Sequence, residues 1–181
     1  MQLDSALEGK NFLLRTLFRS DATPDYLNWL WDPEINAFLE IRFNLPSSLD
    51  ELGNFIEKVA ASSDSLLLGI FKKNDLKHIG NIKLGPINPY HRCADVGFLI
   101  GDHSEWGKGY ASGAITTLTD YAFDQLDLAK VTAGCYAQNE GSRRALLKAG
   151  FQQEGCQTLQ WVANGVRQDG LLFGKLNLGL Q

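Results

Sequence analysis

The segment Ser104-Glu105-Trp106-Gly107-Lys108-Gly109-Tyr110-Ala111 is the stretch that decides the fold of this chain. Its two glycines stand one residue apart, after an apolar strand-like segment and before a strongly helical one. A glycine loop that leads into a helix offers free backbone N–H groups to an anion, and the positive end of the helix dipole strengthens the attraction. The segment therefore predicts a binding site for a phosphate-bearing cofactor.

Length and composition limit what kind of protein this is. The 181 residues, 44% hydrophobic and 21% charged, fit one globular domain spanning residues 1–181. The net charge of −4 argues against broad nucleic-acid binding, which needs a basic surface. The sequence has no apolar run near the roughly 20 residues of a membrane span and no signal-peptide pattern. We therefore expect a soluble, cytoplasmic protein with neither a nucleic-acid nor a membrane partner.

The cysteines and histidines do not indicate a metal site. The chain has three of each: Cys93, Cys135, Cys156, His78, His91 and His103. The cysteines form no CxxC pair, and the histidines lack metal-ligand spacing. Buried, unreactive thiols are the preferred interpretation, with a nucleophilic cysteine as the alternative. We expect no metal.

Hydrophobic periodicity divides the chain into strands and helices. Apolar or alternating runs predict strands at 12–18, 66–71, 79–84, 94–100, 130–136, from 151 onwards and at 168–173. Helical spacing, opened by proline or capping residues, predicts helices at 24–31, 33–39, 46–59, 111–122 and 139–149. Residues 86–90 are expected to form a loop, and Asn164-Gly165 a hairpin turn.

This order of elements predicts an α/β fold with a mixed sheet, not a regular doubly wound one. The dinucleotide-binding fold is disfavoured because the loop lacks a third glycine and lies far into the chain. A Walker loop is excluded because no Gly-Lys-Ser/Thr follows at the required spacing.

Two motifs together resemble the GNAT superfamily of acetyl-coenzyme A-dependent N-acetyltransferases. The loop from Ser104 to Gly109 is similar to the family's Gln/Arg-x-x-Gly-x-Gly/Ala pyrophosphate loop, with Ser104 departing from the usual first residue. Asn139-x-x-Ser142, followed by Gly150-Phe151, resembles the family's next cofactor-binding helix. The resemblance covers most of the chain and implies the GNAT fold: one domain with a mixed, mostly antiparallel central sheet flanked by helices.

Other segments resemble the Rim-type branch of that family, whose members acetylate ribosomal-protein N-termini, polyamines, amino sugars and antibiotics. They are Trp29-Leu-Trp-Asp-Pro-Glu-Ile35, Trp106-Gly-Lys-Gly-Tyr-Ala111, and Asn164-Gly165 with Gln168-Asp169.

The resemblance implies a set of residues that bind acetyl-coenzyme A. The pantetheine arm would lie along the strand before the loop, the pyrophosphate on the loop amides, and a basic side chain near the phosphates. The residues so assigned are Phe98, Leu99, Ile100, Trp106, Gly107, Lys108, Gly109, Tyr110, Ala111, Asn139, Ser142 and Lys148. The N–H near Leu99 would also face the thioester oxygen.

The catalytic groups follow from what acetyl transfer to an amine requires. Where many family members carry a tyrosine acid, seven residues after the Asn, this chain has Leu146. Ser142 resembles a Rim-type serine that assists the leaving thiolate, and a helix-capping serine is the alternative. Asp95 occupies the position of the family's glutamate and is the predicted general base, acting through water; a structural acid is the alternative. Reserve candidates are Tyr110 and Tyr136 as acid, and Glu105 and His91 as base.

An acceptor pocket is expected between the early helices and the final hairpin, from Trp31, Asn81, His91 and Trp161. Large aromatic residues are also common in cores, which is the competing interpretation for the tryptophans.

Three functions are therefore compatible with the sequence. The first is direct acetyl transfer from acetyl-coenzyme A to a primary amine, either a protein N-terminus or a small amine such as an amino sugar. The second is a catalytically silent acyl-coenzyme A-binding regulatory domain. It is suggested by Leu146, which stands where many family members carry the tyrosine acid, and by Asp95, whose side chain is shorter than the family's glutamate. The third is a nucleotide-binding protein of another kind. A homodimer is compatible with an exposed sheet edge.

Overall fold

The computed structural model describes residues 1–180 as eight strands, five α-helices and short 3₁₀ turns. The strands are β1 (Leu7–Glu8), β2 (Phe12–Thr16), β3 (Leu66–Lys72), β4 (His78–Asn88), β5 (Cys93–Ile100), β6 (Lys130–Tyr136), β7 (Gln152–Ala163) and β8 (Val166–Leu176). The helices are α1 (Pro24–Trp31), α2 (Pro33–Asn36), α3 (Leu49–Ala60), α4 (Tyr110–Asp124) and α5 (Glu140–Lys148).

One mixed sheet contains all eight strands, in the order β1-β2-β3-β4-β5-β6-β8-β7. Every neighbouring pair is antiparallel except β5 and β6, which are parallel and are connected through α4. A parallel pair needs a long crossover, and α4 provides it. The predicted fold class, an α/β fold with a mostly antiparallel sheet flanked by helices, is confirmed.

Two apolar clusters cover the two faces of the sheet. On one face, α4 and α5 pack against strand residues that include Leu68, Ile82, Val96 and Val131. On the other face, α1, α2 and α3 cover only β2, β3, the start of β4 and the end of β5. The second face is therefore left without a helix over β6, β7 and β8.

Local sequence signals explain where the helices begin. The side chains of Thr23, Asp32, Ser48 and Asn139 each accept a hydrogen bond from a first-turn N–H group. Such caps satisfy amides that have no partner within the helix. Gly150, with a φ of 85°, ends α5 in the left-handed conformation that glycine adopts most readily.

The loop expected at residues 86–90 is shorter than predicted, because β4 continues through Asn88. A register shift between Leu84 and Ile87 inserts an extra residue into β4, after which Ile87 pairs with Ala94. A bulge of this kind lets a strand pass a proline without losing its partner. Among the helices of residues 1–180, none combines the length and apolar character needed to cross a bilayer.

His78 lies in an aromatic cage between the sheet and the helices. Its ring centroid is 5.5, 5.0 and 4.6 Å from those of Tyr26, Trp29 and Phe71. Its Nε2 is 3.0 Å from the carbonyl oxygen of Gly80 and 2.9 Å from Oδ1 of Asn81. Burial lowers the pKa of His78 below its ordinary 6.5, since a charged imidazole is poorly solvated there.

We predict that His78 makes the protein less stable in mild acid. A lowered pKa means that the unfolded chain binds the proton more tightly, so the stabilisation is complete above pH 6.5 and is lost as pH falls through the lowered pKa. Urea unfolding at pH 7.5 and 5.5 should show that the free energy of unfolding falls less between the two pH values in His78→Phe than in the wild type. His91→Phe, at an exposed position, is the matched control. Equal losses in all three proteins would contradict the prediction.

Candidate active site

A cleft of about 760 Å³ opens where β5 and β6 separate. The two strands pair only from Cys93–Lys130 to Asp95–Thr132. Beyond Asp95, β5 pairs with β4 alone. The cleft is lined by Phe98, Leu99 and Ile100 of β5, by the glycine loop, and by the first turns of α4 and α5. Backbone groups of β5 therefore face an open gap in which an extended ligand can bind as an added strand.

The glycine loop forms one end of this cleft. Gly107 and Gly109 have φ of 74° and 87°, a region that side-chain-bearing residues rarely adopt. Gly109 is the N-cap of α4 and supplies no capping side chain, and the first turn of α4 contains no acidic residue. Its first amides and the positive end of its dipole are consequently not neutralised by a side chain, which suits an anion.

Of the two lysines predicted to contact phosphate, Lys148 is the better placed. A Cβ atom built on Gly109 would lie 3.8 Å from its Nζ, and Lys148 lines the cleft. Lys108 is not among the lining residues, and its Nζ donates to Glu105 at 3.0 Å. The positive charge beside the loop therefore comes from Lys148, whereas Lys108 is held by a carboxylate.

Glu105 is a buried carboxylate that fixes the loop to the sheet. Its two oxygens accept hydrogen bonds from Lys108 and Lys72, each at 3.0 Å. These two ammonium groups, Lys108 first, hold the pKa of Glu105 below its ordinary value. A carboxylate with a lowered pKa is a weak proton acceptor, so the geometry favours a structural role for Glu105 over the reserve role of general base.

The first turn of α5 brings Asn139 and Ser142 to the cleft. Oδ1 of Asn139 accepts a hydrogen bond from the backbone N–H of Ser142 at 3.0 Å, which leaves the amide NH₂ of Asn139 directed elsewhere. The Ser142 hydroxyl forms no hydrogen bond with residues 1–180, so it is available to a ligand. Leu146, one turn further, is fully buried in the core and cannot serve as a proton donor.

Asp95 lies at the closed end of the gap. It is exposed, accepts a hydrogen bond from the hydroxyl of Thr132, and belongs to the last parallel pair. Four residues separate it from Leu99, or about 13 Å along a strand. Asp95 is not among the lining residues, and its role as general base stays a prediction.

A tryptophan covers the helix-free face of the sheet next to the gap. The indole of Trp161 lies against Gly134 and Gly170: a Cβ atom on either glycine would come within 2.9 or 3.0 Å of it. Its ring is 5.0 Å from that of Tyr136. On the same face, Gln168 pairs with Trp161 and is buried, and its Oε1 has no hydrogen-bond partner in the described chain.

A polar cluster that the sequence did not indicate joins this face to the segment after α2. Nη2 of Arg42 donates to the Tyr136 hydroxyl and to the Val162 carbonyl, each at 2.6 Å. The Tyr136 hydroxyl donates to Glu40 at 2.8 Å. Arg42 is 94 residues from Tyr136 and 120 from Val162, so no local pattern reveals the contact.

The other predicted acceptor residues lie away from the cleft lining. Asn81 is 4% exposed and its Oδ1 is engaged by His78, whereas its Nδ2 has no hydrogen-bond partner in the described chain, so its acceptor contact stays a prediction. Trp31 is exposed, and its indole N–H donates to the carbonyl of Pro46. His91 is exposed in the turn between β4 and β5, near the closed end of the gap. Of the four predicted residues, only Trp161 lies beside the helix-free face described above.

The described residues hold no cluster of metal-ligating side chains. Within residues 1–180, no three His, Cys, Asp or Glu side chains come close enough together to hold a metal ion. Burial raises the pKa of the Cys135 thiol to about 11, so this cysteine is held as an inert thiol.

Comparison with known proteins identifies relatives across most of the chain. The family model for the acetyltransferase (GNAT) domain matches residues 11–152. N-acetyltransferase YoaA of Bacillus subtilis is 35% identical over 167 residues, which cover 90% of this chain and 92% of that protein.

Solved structures share the same architecture. Spermidine N-acetyltransferase from Vibrio cholerae, in complex with coenzyme A and spermine, has a TM-score of 0.80 and 26% identity, covering 92% of this chain and 95% of that one. The ribosomal L7/L12 α-N-protein acetyltransferase RimL, in complex with coenzyme A, has a TM-score of 0.84 over 95% of this chain and 98% of that one. Its 18% identity shows a shared fold.

We predict that Gly134 is required for the position of Trp161. Gly134→Ala would put a methyl group 2.9 Å from the indole, and overpacking of this kind typically costs about 1–3 kcal/mol. Gly97→Ala, on the same face of the neighbouring strand, meets nothing within 4 Å and should change stability by about 0.5 kcal/mol or less. Urea unfolding followed by tryptophan fluorescence measures both variants, and equal stabilities would contradict the packing described.

Proposed function

The chain belongs to the GNAT acetyltransferase family, and from that premise we propose that it transfers an acetyl group from acetyl-coenzyme A directly to a primary amine. One observation carries the proposal: the gap between β5 and β6 opens onto the uncapped, positively charged start of α4. An extended thioester arm fits the gap, and a pyrophosphate fits the helix start. We propose that residues 1–181 form one catalytic domain.

Residues of three elements would hold the co-substrate. Backbone groups of Phe98, Leu99 and Ile100 would bind the pantetheine arm as an added strand. The amides from Trp106 to Ala111 would bind the pyrophosphate, with Lys148 adding a positive charge. Support comes from the open space at Gly107, where a Cβ atom would meet nothing within 4 Å, and from Asn139, which lines the same cleft.

Acetyl transfer requires stabilisation of an oxyanion and of a leaving thiolate. The backbone N–H near Leu99 would donate to the thioester oxygen as negative charge develops there. The Ser142 hydroxyl would donate to the leaving sulfur. Ser142 suits this role because it lines the cleft and its hydroxyl forms no bond with other residues of the described chain.

The acceptor would be a protein N-terminus or a small amine, including an amino sugar. RimL acts on a ribosomal protein N-terminus, and the Vibrio cholerae enzyme on spermidine, as their names state. Both amines would approach from the helix-free face beside Trp161, where an aromatic surface attracts cations.

Thiol release from acetyl-coenzyme A tests the proposal. A panel of a Ser-initiated peptide, an Ala-initiated peptide, spermidine and a nucleotide-linked amino sugar should include at least one acceptor that raises thiol release well above background. Ser142→Ala should lower kcat for that acceptor about tenfold, a modest loss for a single assisting group. Binding of coenzyme A with no turnover of any amine would instead favour the silent regulatory domain.

We predict that Lys148 strengthens cofactor binding through its charge. Lys148→Ala should weaken coenzyme A binding about tenfold, since hydrogen bonds to charged groups contribute about 1.5–3 kcal/mol. Calorimetry at low and high salt measures the effect, which should shrink as salt screens the phosphates. Lys58→Ala, an exposed lysine on α3, is the control. An unchanged affinity in Lys148→Ala would contradict the assignment.

A further inference from the structure

Tyr136 lies across the gap from the strand that would hold the thioester. Leu99 on β5 and Tyr136 on β6 each stand four residues beyond the last parallel pair, Asp95–Thr132. They are therefore level along the two diverging strands, and their side chains project from the same face of the sheet. The ring of Tyr136 packs 5.4 Å from that of Phe38, which lines the cleft.

The hydroxyl of Tyr136 is held from both sides. It accepts from Arg42 at 2.6 Å and donates to Glu40 at 2.8 Å. A phenol oxygen can accept a second hydrogen bond, so one lone pair is left for a further donor. An ammonium group approaching the gap is such a donor, directly or through one water molecule.

We propose that Tyr136 and Glu40 form a proton relay that deprotonates the acceptor amine; this inference rests on the proposed function. An N–H bond of the ammonium breaks as its proton passes to the oxygen of Tyr136. The original O–H bond of Tyr136 breaks as that proton passes to the carboxylate of Glu40. The amine gains a free electron pair for attack, Tyr136 ends neutral, and the protonated Glu40 returns its proton to water.

The burial of the two relay side chains fits these roles. Tyr136 is 4% exposed, whereas the side chain of Glu40 is 72% exposed. The inner group is therefore shielded from bulk solvent, and the outer group can exchange protons with it. The relay gives this chain a route for proton removal that does not depend on Asp95 at the closed end of the gap.

Arg42 acts as a positioning residue. Its side chain, 13% exposed, donates to the carbonyls of Leu39 and Val162 as well as to Tyr136. It thus ties the segment that contains Glu40 to β6 and to the β7–β8 hairpin. Its donation to the Tyr136 oxygen also directs the phenol proton toward Glu40.

Few charged groups face Tyr136. They are Glu40 and Arg42, from the segment after α2; on α5, Glu140 is paired with Arg143 and Arg144. Trp161 and Gln168 of the hairpin are uncharged. Burial raises the pKa of Tyr136, so its phenol stays neutral near pH 7 and passes a proton on only as it receives one.

The pH profile of kcat/KM for the fastest amine of the panel tests the relay. In the wild type the profile should stay flat below the pKa of the amine, because the relay accepts the ammonium form. In Tyr136→Phe and Glu40→Gln the rate should fall tenfold per pH unit below that pKa, since only the neutral amine reacts. We expect a loss of about tenfold at pH 7 for a peptide α-amine, whose pKa is about 8, or a larger loss for a more basic amine, and convergence above the pKa.

Matched controls separate the relay from structural damage. Tyr121→Phe removes the hydroxyl of a tyrosine on α4, and Glu8→Gln alters a carboxylate 74% exposed and also ion-paired; both should keep the wild-type profile. Coenzyme A affinity should be unchanged in every variant. Arg42→Lys should show a smaller fall of kcat/KM below the pKa of the amine than Tyr136→Phe does.

Two results would overturn the relay. One is an equal loss at all pH values in Tyr136→Phe and Glu40→Gln, which is what a packing or binding role produces. The other is a kcat/KM that falls tenfold per pH unit below the pKa of the amine in Asp95→Asn but stays flat in Tyr136→Phe and Glu40→Gln. Failure of the proposed function is distinguishable, because the wild type would then turn over none of the amines.

Discussion

The parting of β5 from β6 is the constraint on which the rest of the structure depends. These strands are the one parallel pair in the sheet of the described chain, and they pair over only three residues each. The crossover helix α4 begins at the open end of the gap, so the positive end of its dipole points at a ligand that lies along β5. Glu105, held between Lys72 and Lys108, keeps the glycine loop at that position. An open strand edge and a helix start are thereby brought to one cleft.

The two faces of the sheet present different groups at this gap. On the face covered by α4 and α5, glycine-loop amides, Lys148 and Ser142 surround the cleft and suit a phosphate-bearing thioester. On the face that α1 to α3 leave open, Trp161 lies flat on two glycines, and Tyr136 is held between Glu40 and Arg42. Under the proposed function, donor and acceptor would enter from opposite sides and meet at the level of Leu99, without sharing one opening.

Local signals explain what could be predicted from the sequence. The glycine loop, the Asn139 cap and the glycine after α5 act within a few residues, and the structure confirms the elements that they predicted. Contacts across the chain were beyond such reasoning. The buried Glu105, which accepts from Lys108, is also paired with Lys72, 33 residues away, and no local pattern reveals that contact. Arg42 carries no local signal, because its partners are about a hundred residues away.

Amide hydrogen exchange with and without coenzyme A tests the central claim most directly. If the open edge of β5 and the start of α4 hold the co-substrate, the amides of residues 96–100 and 107–111 should exchange more slowly when it is bound. Those of the β1–β2 edge, at the far side of the sheet, should not change. Unchanged exchange at 96–100 together with slower exchange elsewhere would contradict the account, because the gap between β5 and β6 would then not be the binding site.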